Sequence, residues 1–156
     1  MSLLVLGAAV AVAPGARAAE PAAAVATVRA GTVKLVNGQV KLSDGKTERP
    51  VAPGDGIASA DSIVTGADGS ISVVLRDGTL IVVGPNSRTD LREFSFDATS
   101  YQGNMVVSVV RGTMRMVSGL LRKNRPDSVS VETPTALIGI RGTDFIVEVE
   151  PSGEGT

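Results

Sequence analysis

Apolar and polar residues alternate in short runs along most of the chain, from about Val25 to Glu150. Two runs are the most regular, with an apolar side chain at every second position: Ile71, Val73 and Leu75 in the first, and Phe145, Val147 and Val149 in the second. A period of two residues over a short run is typical of a β-strand with one buried face. The pattern therefore predicts an all-β domain with many short strands.

The runs are separated by dipeptides that favour tight turns: Asn37-Gly38, Asp44-Gly45, Asp68-Gly69 and Asp77-Gly78. Glycine adopts positive φ without strain, and an Asn or Asp beside it can hydrogen-bond the turning backbone. These positions are therefore predicted to be turns between strands, with the glycine at positive φ.

The segment 105–121 fits two patterns, because its apolar residues also lie along one stripe of a helix. Gly112 and Gly119 weaken a helix there, and the paired valines favour extended backbone. We predict two strands, residues 105–111 and 113–117, separated by Gly112.

The first residues are predicted to form a signal-peptide helix. The apolar run "LLVLGAAVAV" (3–12) is too short to span a bilayer, and the small-x-small sequence "ARA" (16–18) precedes the expected cleavage point after Ala18 or Ala19. Because no Lys or Arg precedes the run, a frayed N-terminal helix on a cytoplasmic protein stays open as an alternative. The expected organisation is a signal peptide (1–19), a linker (20–29), one domain (30–150) and the start of a linker or tail (151–156). The processed chain is then periplasmic or secreted, with no stable membrane insertion.

Composition excludes several classes of function. The 156 residues include no histidine and no cysteine, which removes the common zinc ligands, the Ser-His triad, cysteine nucleophiles and disulfides. Lysine and arginine (15) nearly balance aspartate and glutamate (16), so a nucleic-acid partner is not expected. The length fits one domain with a real core.

Other chemical motifs fail on their spacing. The sequence "DGKT" (44–47) lacks the earlier glycine of a phosphate-binding loop, since residue 40 is valine. Asp55, Asp61 and Asp68 fit neither the EF-hand loop nor the calcium β-roll repeat, and we expect them to hydrogen-bond turn backbones. No Asp/Glu pair and no Ser-Lys pair is singled out by its spacing. We therefore expect a non-enzymatic protein without a metal or a cofactor.

A series of motifs occurs in one order along residues 30–149: "GTVKLVNGQVKL", "PVAPGDGI", "DSIVTGADGS", "LRDGTLIVVGPNS", "RGTMRMVSG" and "TPTALIGIRGTDF". In this order they resemble the FecR domain, a β-rich module of bacterial envelope proteins named for a regulator of ferric-citrate uptake. The resemblance implies that the short strands coil as a solenoid-like β-roll. The alternation alone leaves a β-sandwich as the alternative.

The resemblance also implies a function in the cell envelope. Full-length regulators of this family contact a sigma factor in the cytoplasm, and their FecR domain relays the state of an outer-membrane transporter in the periplasm. The motifs here match only the envelope-side module. We therefore expect a protein-interaction module in signalling or assembly, with an envelope protein such as a transporter signalling domain as partner. A carbohydrate or cell-wall binding module is the alternative, against which the single Tyr and the absence of Trp count.

The closing motif "TPTALIGIRGTDFIVEV" (133–149) contains one arginine, Arg141, in an apolar and glycine-rich run. We expect Arg141 to lock the last turn by pairing with backbone carbonyls or a carboxylate such as Asp144, because a buried charge without a partner is costly. A contact to an acidic group of a partner is the alternative. The predicted structural motif comprises seven residues: Thr133, Pro134, Gly139, Arg141, Gly142, Thr143 and Phe145.

Five basic residues before this motif are candidates for contacts with an acidic protein, phosphate or lipid surface: Arg111, Arg115, Arg122, Lys123 and Arg125. The alternative is a solvated strand edge on which charge prevents aggregation. Phe94 and Phe96 are expected in the core, since the chain has only three phenylalanines.

Overall fold

The structure of the protein, a computed structural model, describes residues 28–140 and 142–150. The predicted signal peptide, most of the predicted linker, the tail and Arg141 lie outside the described residues. Within them are twelve strands: β1 Arg29–Asn37, β2 Val40–Ser43, β3 Glu48–Pro50, β4 Gly56–Ala58, β5 Ser62–Thr65, β6 Ser70–Leu75, β7 Leu80–Val83, β8 Arg88–Phe96, β9 Gly103–Val117, β10 Val129–Glu132, β11 Leu137–Ile138 and β12 Asp144–Val149. Between β9 and β10 lie the short helix α1, Leu120–Asn124, and a 3-10 turn, Pro126–Ser128.

The strands form one curled, mainly antiparallel half-barrel. Its main path runs β3-β2-β5-β8-β9-β7-β6-β1-β4; β10 and β12 also pair with β9, and β11 pairs with β10. β10 and β9 run parallel. The predicted all-β class is confirmed, while the choice between a solenoid-like roll and a sandwich stays a prediction.

The central strand β9 corrects the prediction for residues 105–117, which form one strand rather than two. Its first half pairs with β8 and β10, and its second half pairs with β7 and β12. Gly112 lies inside the strand at φ 84° and bends it without ending it. The glycine therefore marks a turning point of the sheet, because the partners on both edges change there, from β8 and β10 to β7 and β12.

The bend at Gly112 is held by Ser87, which is fully buried. The Ser87 hydroxyl donates to the carbonyl of Pro85 (2.9 Å) and accepts a hydrogen bond from the N–H of Thr113 (2.9 Å). The Ser87 N–H donates to Thr65 Oγ1 (2.9 Å). A Cβ on Gly112 would overlap the Ser87 side chain. The bend thus needs both a residue that tolerates positive φ and an empty position facing Ser87.

The alternating runs bury the faces that the sequence predicts. Ile71, Val73 and Leu75 are all buried on β6, and their neighbours on the other face are partly exposed. Phe94 and Phe96 are each 8% exposed, which confirms that they belong to the core. Fully buried methionines of β9 pack in the same core cluster: Met105, Met114 and Met116.

The predicted turns are present, with one difference in mechanism. Gly38, Gly45 and Gly78 have positive φ as expected. Gly69 does not, and it is needed for another reason: a Cβ there would overlap the carbonyl oxygen of Gln39. The dipeptide alone does not distinguish a strained turn from a close approach of two backbones.

A buried carboxylate fastens α1 to the turn between β6 and β7. Asp77 accepts hydrogen bonds from the Thr79 hydroxyl (2.7 Å) and from the backbone N–H of Thr79 (3.1 Å) and of Leu121 (3.3 Å). The Thr79 hydroxyl oxygen in turn accepts from the N–H of Gly119 (3.0 Å). The β6–β7 turn (residues 76–79) and the chain that leads into α1 (residues 118–121) are therefore joined by these hydrogen bonds, which fix the chain where it leaves β9.

We predict that Gly112→Ala lowers the free energy of unfolding by about 2–4 kcal/mol, because it adds backbone strain to a steric overlap in a packed region. The matched control is Gly45→Ala: Gly45 has a similar φ of 89°, but the described residues leave its Cβ position empty within 4 Å. The control is expected to cost about 1 kcal/mol, from the backbone alone. Urea denaturation of both variants measures the difference, and equal losses would contradict the role given to Ser87.

Candidate partner-binding edge

The closing motif folds as two arms at one side of β9. Residues 133–136 form the turn after β10: the Thr133 N–H donates to the Ala136 carbonyl (2.8 Å), and the Ala136 N–H donates to Thr133 Oγ1 (3.1 Å). Pro134 lies inside this turn. The chain then returns along β10 as β11 and reaches β12, which pairs antiparallel with the second half of β9.

Among the described strands, β12 pairs with β9 alone, so its second edge is unpaired. The ladder places Asp144 opposite Val117, and the Ser118 N–H donates to the Thr143 carbonyl (2.7 Å). Because hydrogen-bonded pairs alternate along an antiparallel ladder, the odd-numbered residues 145, 147 and 149 direct their N–H and C=O groups toward β9. The same groups of Ile146 and Glu148 therefore point outward from the free edge.

The side chains of β12 follow the predicted alternation. Val147 is buried, and Phe145 and Val149 are half-buried against the core. On the opposite face Ile146 is 66% exposed, next to Glu148. Leu137 of β11 is 70% exposed. Two large apolar side chains of one motif are thus exposed to solvent.

Two open cavities lie between the β11 arm and β12, and together they form what we call the β11–β12 groove. The first, of about 480 Å³, lies between residues 138–140 and 145–148. The second, of about 390 Å³, lies between residues 133–135 and 147–150 and also touches Ile138. Ile138, Val147 and Glu148 line both cavities, so the groove is continuous along β12.

The remaining predicted motif residues have different positions, and only some of them line this groove. Gly139 lines the first cavity, and Gly142, which precedes β12, has a positive φ of 86°. Thr143 is exposed, and its carbonyl joins the ladder to β9. Phe145 forms part of the groove wall. The expected pairing of Arg141 stays a prediction, since that residue lies outside the described part of the chain.

Two of the five basic residues are engaged within the fold. Arg115 binds the carboxylate of Asp144 through two hydrogen bonds, Nε to Oδ1 (2.9 Å) and Nη2 to Oδ2 (2.5 Å). Arg122 of α1 donates from Nη2 to the carbonyl of Ile140 (2.5 Å). The carboxylate expected to serve Arg141 is thus bound by Arg115. Arg115 and Arg122 hold the two ends of the segment that joins β11 to β12.

The other three basic residues, Arg111, Lys123 and Arg125, are exposed. The alternative interpretation of this basic run as a strand edge is wrong for β9, because neighbouring strands pair with it on both sides. The chain also divides the run, with residues 111 and 115 on β9 and residues 122–125 on the helical segment. Only the apolar stripe of residues 105–121, which also fits strands, indicated a helix in this part of the sequence.

A separate open cavity, of about 630 Å³, lies where β8 ends and β9 begins, and we call it the polar cavity. Arg76 and Arg125 line it together with Phe94 and Phe96. The guanidinium carbon of Arg76 lies 5.6 Å from the centre of the Phe94 ring, within range of a cation–π contact.

Asp55, Asp61 and Asp68 accept hydrogen bonds from backbone N–H groups, as expected for aspartates in turns. Asp55 accepts from the Ala52 N–H (2.9 Å), and Asp61 from the Ala58 N–H (2.8 Å). Asp68 accepts from the N–H of Gln39 (3.2 Å). In the part of the chain that the structure describes, no three acidic side chains cluster in a way that could hold a metal ion.

The Arg115 hydrogen bonds lower the pKa of Asp144 below its ordinary value, 3.8. A carboxylate with a lowered folded-state pKa stabilises the fold fully above its unfolded-state pKa and loses this contribution as pH falls through the folded-state value. We therefore predict that wild type and Asp144→Asn differ in stability by a constant amount above about pH 5, and that the difference shrinks in more acidic solution.

Urea denaturation at a series of pH values measures this difference. The control is the same comparison in an Arg115→Gln background, in which the acid-dependent part should largely disappear. An unchanged pH dependence in that background would contradict the assignment of Arg115 as the cause.

Comparison with known proteins identifies the family of the chain. No curated protein and no solved structure matches the chain. Among the described residues, no helix has the length and apolar character needed to cross a membrane. The family model described as FecR protein matches residues 61–156, which include β5 to β12 and the β11–β12 groove, while β1 and β2 pair with strands inside that range. The match covers more than half of the chain and confirms the resemblance of its motifs, and the protein therefore belongs to the FecR protein family, a regulatory and non-enzymatic family.

Proposed function

We propose that the protein is a non-enzymatic interaction module of the bacterial envelope, periplasmic or secreted, that binds a protein partner in signalling or assembly. FecR proteins are regulators that interact with membrane proteins and sigma-factor-related partners. The proposed partner is an envelope protein such as the signalling domain of an outer-membrane transporter.

The observation that supports this proposal is the unpaired edge of β12 beside the β11–β12 groove. Ile146 exposes most of its apolar surface at this edge, and Leu137 of β11 is exposed elsewhere in the same motif, which lies within the residues that the family model matches. An open strand edge flanked by apolar side chains is a template for pairing with another chain, and proteins usually protect such edges. Its presence in this motif is consistent with a surface that a partner covers.

The basic residues receive a more limited role in this proposal. Arg115 and Arg122 keep the groove in shape through Asp144 and the carbonyl of Ile140. Arg111, Lys123 and Arg125 are exposed and form no ion pair with any residue that the structure describes. These three are proposed to contact acidic groups of the partner and to speed association.

A carbohydrate or cell-wall binding module is the second candidate, and the polar cavity is the observation in its favour. Arg76 and Arg125 are available there for the carboxylates of an acidic glycan. Against it, the rings of Phe94 and Phe96 are nearly fully buried, so they present little face for sugar stacking.

Affinity capture tests the proposal, with the purified chain as bait against a detergent-solubilised envelope extract and, in parallel, against purified peptidoglycan. We expect a saturable protein partner that is lost in the double variant Leu137→Lys/Ile146→Lys, because two charges then face the partner's apolar groups.

The control for this experiment is Leu35→Lys, which places one lysine at a similarly exposed position on β1, 63% exposed and outside the groove. The control should retain the partner. Saturable retention on peptidoglycan with no enriched protein would overturn the proposal in favour of the second candidate.

A further inference from the structure

We infer that the free edge of β12 takes up an extended segment of the partner in which large apolar residues alternate with basic ones. This inference rests on the proposed function, and it adds the docking site and the chemistry of the docked segment. Three features of the β11–β12 groove support it: the direction of the backbone groups, the spacing of the cavities and the charge of the outer face.

The backbone groups of the edge are arranged for strand addition. Ile146 and Glu148 direct their N–H and C=O groups away from β9, as the register with Ser118 and Thr143 requires. Two such residues offer four main-chain hydrogen bonds to an incoming strand. Main-chain pairing of this kind gives affinity, while pockets for alternate side chains give specificity.

The groove provides two such pockets. Residues opposite each other on neighbouring strands share a face, so alternate side chains of an added strand would lie beside Phe145, Val147 and Val149. Those side chains lie about 7 Å apart along a strand. The cavities of about 480 Å³ and 390 Å³ follow β12 on the two sides of Val147, and each has room for a large aliphatic or aromatic side chain.

The outer face of β12 selects a basic partner segment. Glu148 and Glu150 are exposed there, and neither forms an ion pair with a described residue. Asp144 on the same face is already bound by Arg115. A Lys or Arg opposite Glu148 would form a favourable cross-strand pair, whereas an acidic residue would be repelled.

The same charges oppose a second copy of β12 as the occupant. If two copies paired antiparallel with their apolar faces together, the fullest overlaps would place Asp144 opposite Glu148 or opposite Glu150. Like charges directly opposite each other destabilise a strand pair. The observations therefore favour a different chain with basic residues over self-association.

Fluorescence polarisation tests the inference with two labelled ten-residue peptides. In the first, Phe or Ile alternates with Lys or Thr; in the second, Glu replaces each Lys. We expect the wild-type chain to bind the Lys peptide about three- to tenfold more tightly than the Glu peptide, and Glu148→Lys to remove or reverse this preference.

Glu93→Lys is the matched control for charge, because Glu93 is an exposed acid on β8 and the change in net charge is the same. This variant should keep the preference of wild type. A preference that Glu93→Lys and Glu148→Lys alter equally would reflect net charge alone and would overturn the inference.

Ile146→Pro tests the backbone pairing. The proline removes an N–H that β9 does not use, and a proline is tolerated on an edge strand when its missing N–H faces outward. We expect this variant to remain folded by thermal denaturation and to bind the Lys peptide at least about tenfold more weakly, while Ile146→Thr, which keeps the N–H, binds it within about threefold of wild type.

The outcomes separate the inference from the proposed function. If folded Ile146→Pro binds the peptide as wild type does, or if neither peptide binds wild type, the inference is overturned. If sedimentation shows a wild-type dimer that Ile146→Pro abolishes, the occupant is a second copy instead. A protein captured from the envelope extract by both wild type and Ile146→Pro would overturn this docking site and leave the interaction function standing. If the Lys peptide binds at the edge but the affinity capture retains only peptidoglycan, the proposed function as a protein-interaction module would be overturned instead.

Discussion

The fold depends on one constraint, the bend of β9 at Gly112. A single strand of fifteen residues joins both halves of the half-barrel, and it can do so because a glycine at positive φ faces the buried side chain of Ser87. At the bend the N–H of Thr113 donates to the Ser87 hydroxyl oxygen, which takes the place of a backbone acceptor from a neighbouring strand. β7 and β8 follow one edge of the bent strand, and β10 and β12 follow the other. Because β10 ends opposite Ser108 and β12 ends opposite Gly112, the two strands meet at the bend. The chain that continues from β10 as the β11 arm forms the other wall of the β11–β12 groove.

Electrostatic contacts then fix the walls of the groove. Arg115 holds the start of β12 through Asp144, and Arg122 holds the end of the β11 arm through the carbonyl of Ile140. α1 is itself fastened to the β6–β7 turn by Asp77, so the Arg122 contact is anchored in the core. Three motifs that are distant in sequence thus converge on one edge. The acids that remain on the outer face of β12, chiefly Glu148, give that edge a negative charge. The edge should therefore prefer a basic partner segment over an acidic one.

The sequence predicts what depends on local pattern and misses what depends on register. The alternation in residues 70–75 and 144–150 correctly identifies the buried faces, because a pleated strand has a strict period of two. The strand break expected at Gly112 was wrong, since a distant serine compensates for the interrupted ladder. The partner of Asp144 could not be found either: Arg115 lies diagonally across the ladder, where Ile146 is the direct opposite, and only the register reveals it. The groove had one available signal, the apolar Ile146 on an otherwise polar face. The most conspicuous charge of the motif, Arg141, lies outside the described residues, and its expected role stays a prediction.

The central claim is that β12 presents an unpaired edge with the outward groups of Ile146 and Glu148. Amide hydrogen exchange of the free protein, resolved by residue, measures this most directly, because it separates N–H groups that donate to β9 from those that face solvent. The account predicts slow exchange at Phe145 and Val147 and fast exchange at Ile146 and Glu148, in alternation along one strand. Uniform protection of all four amides would show that both edges of β12 are already paired, and would contradict the account.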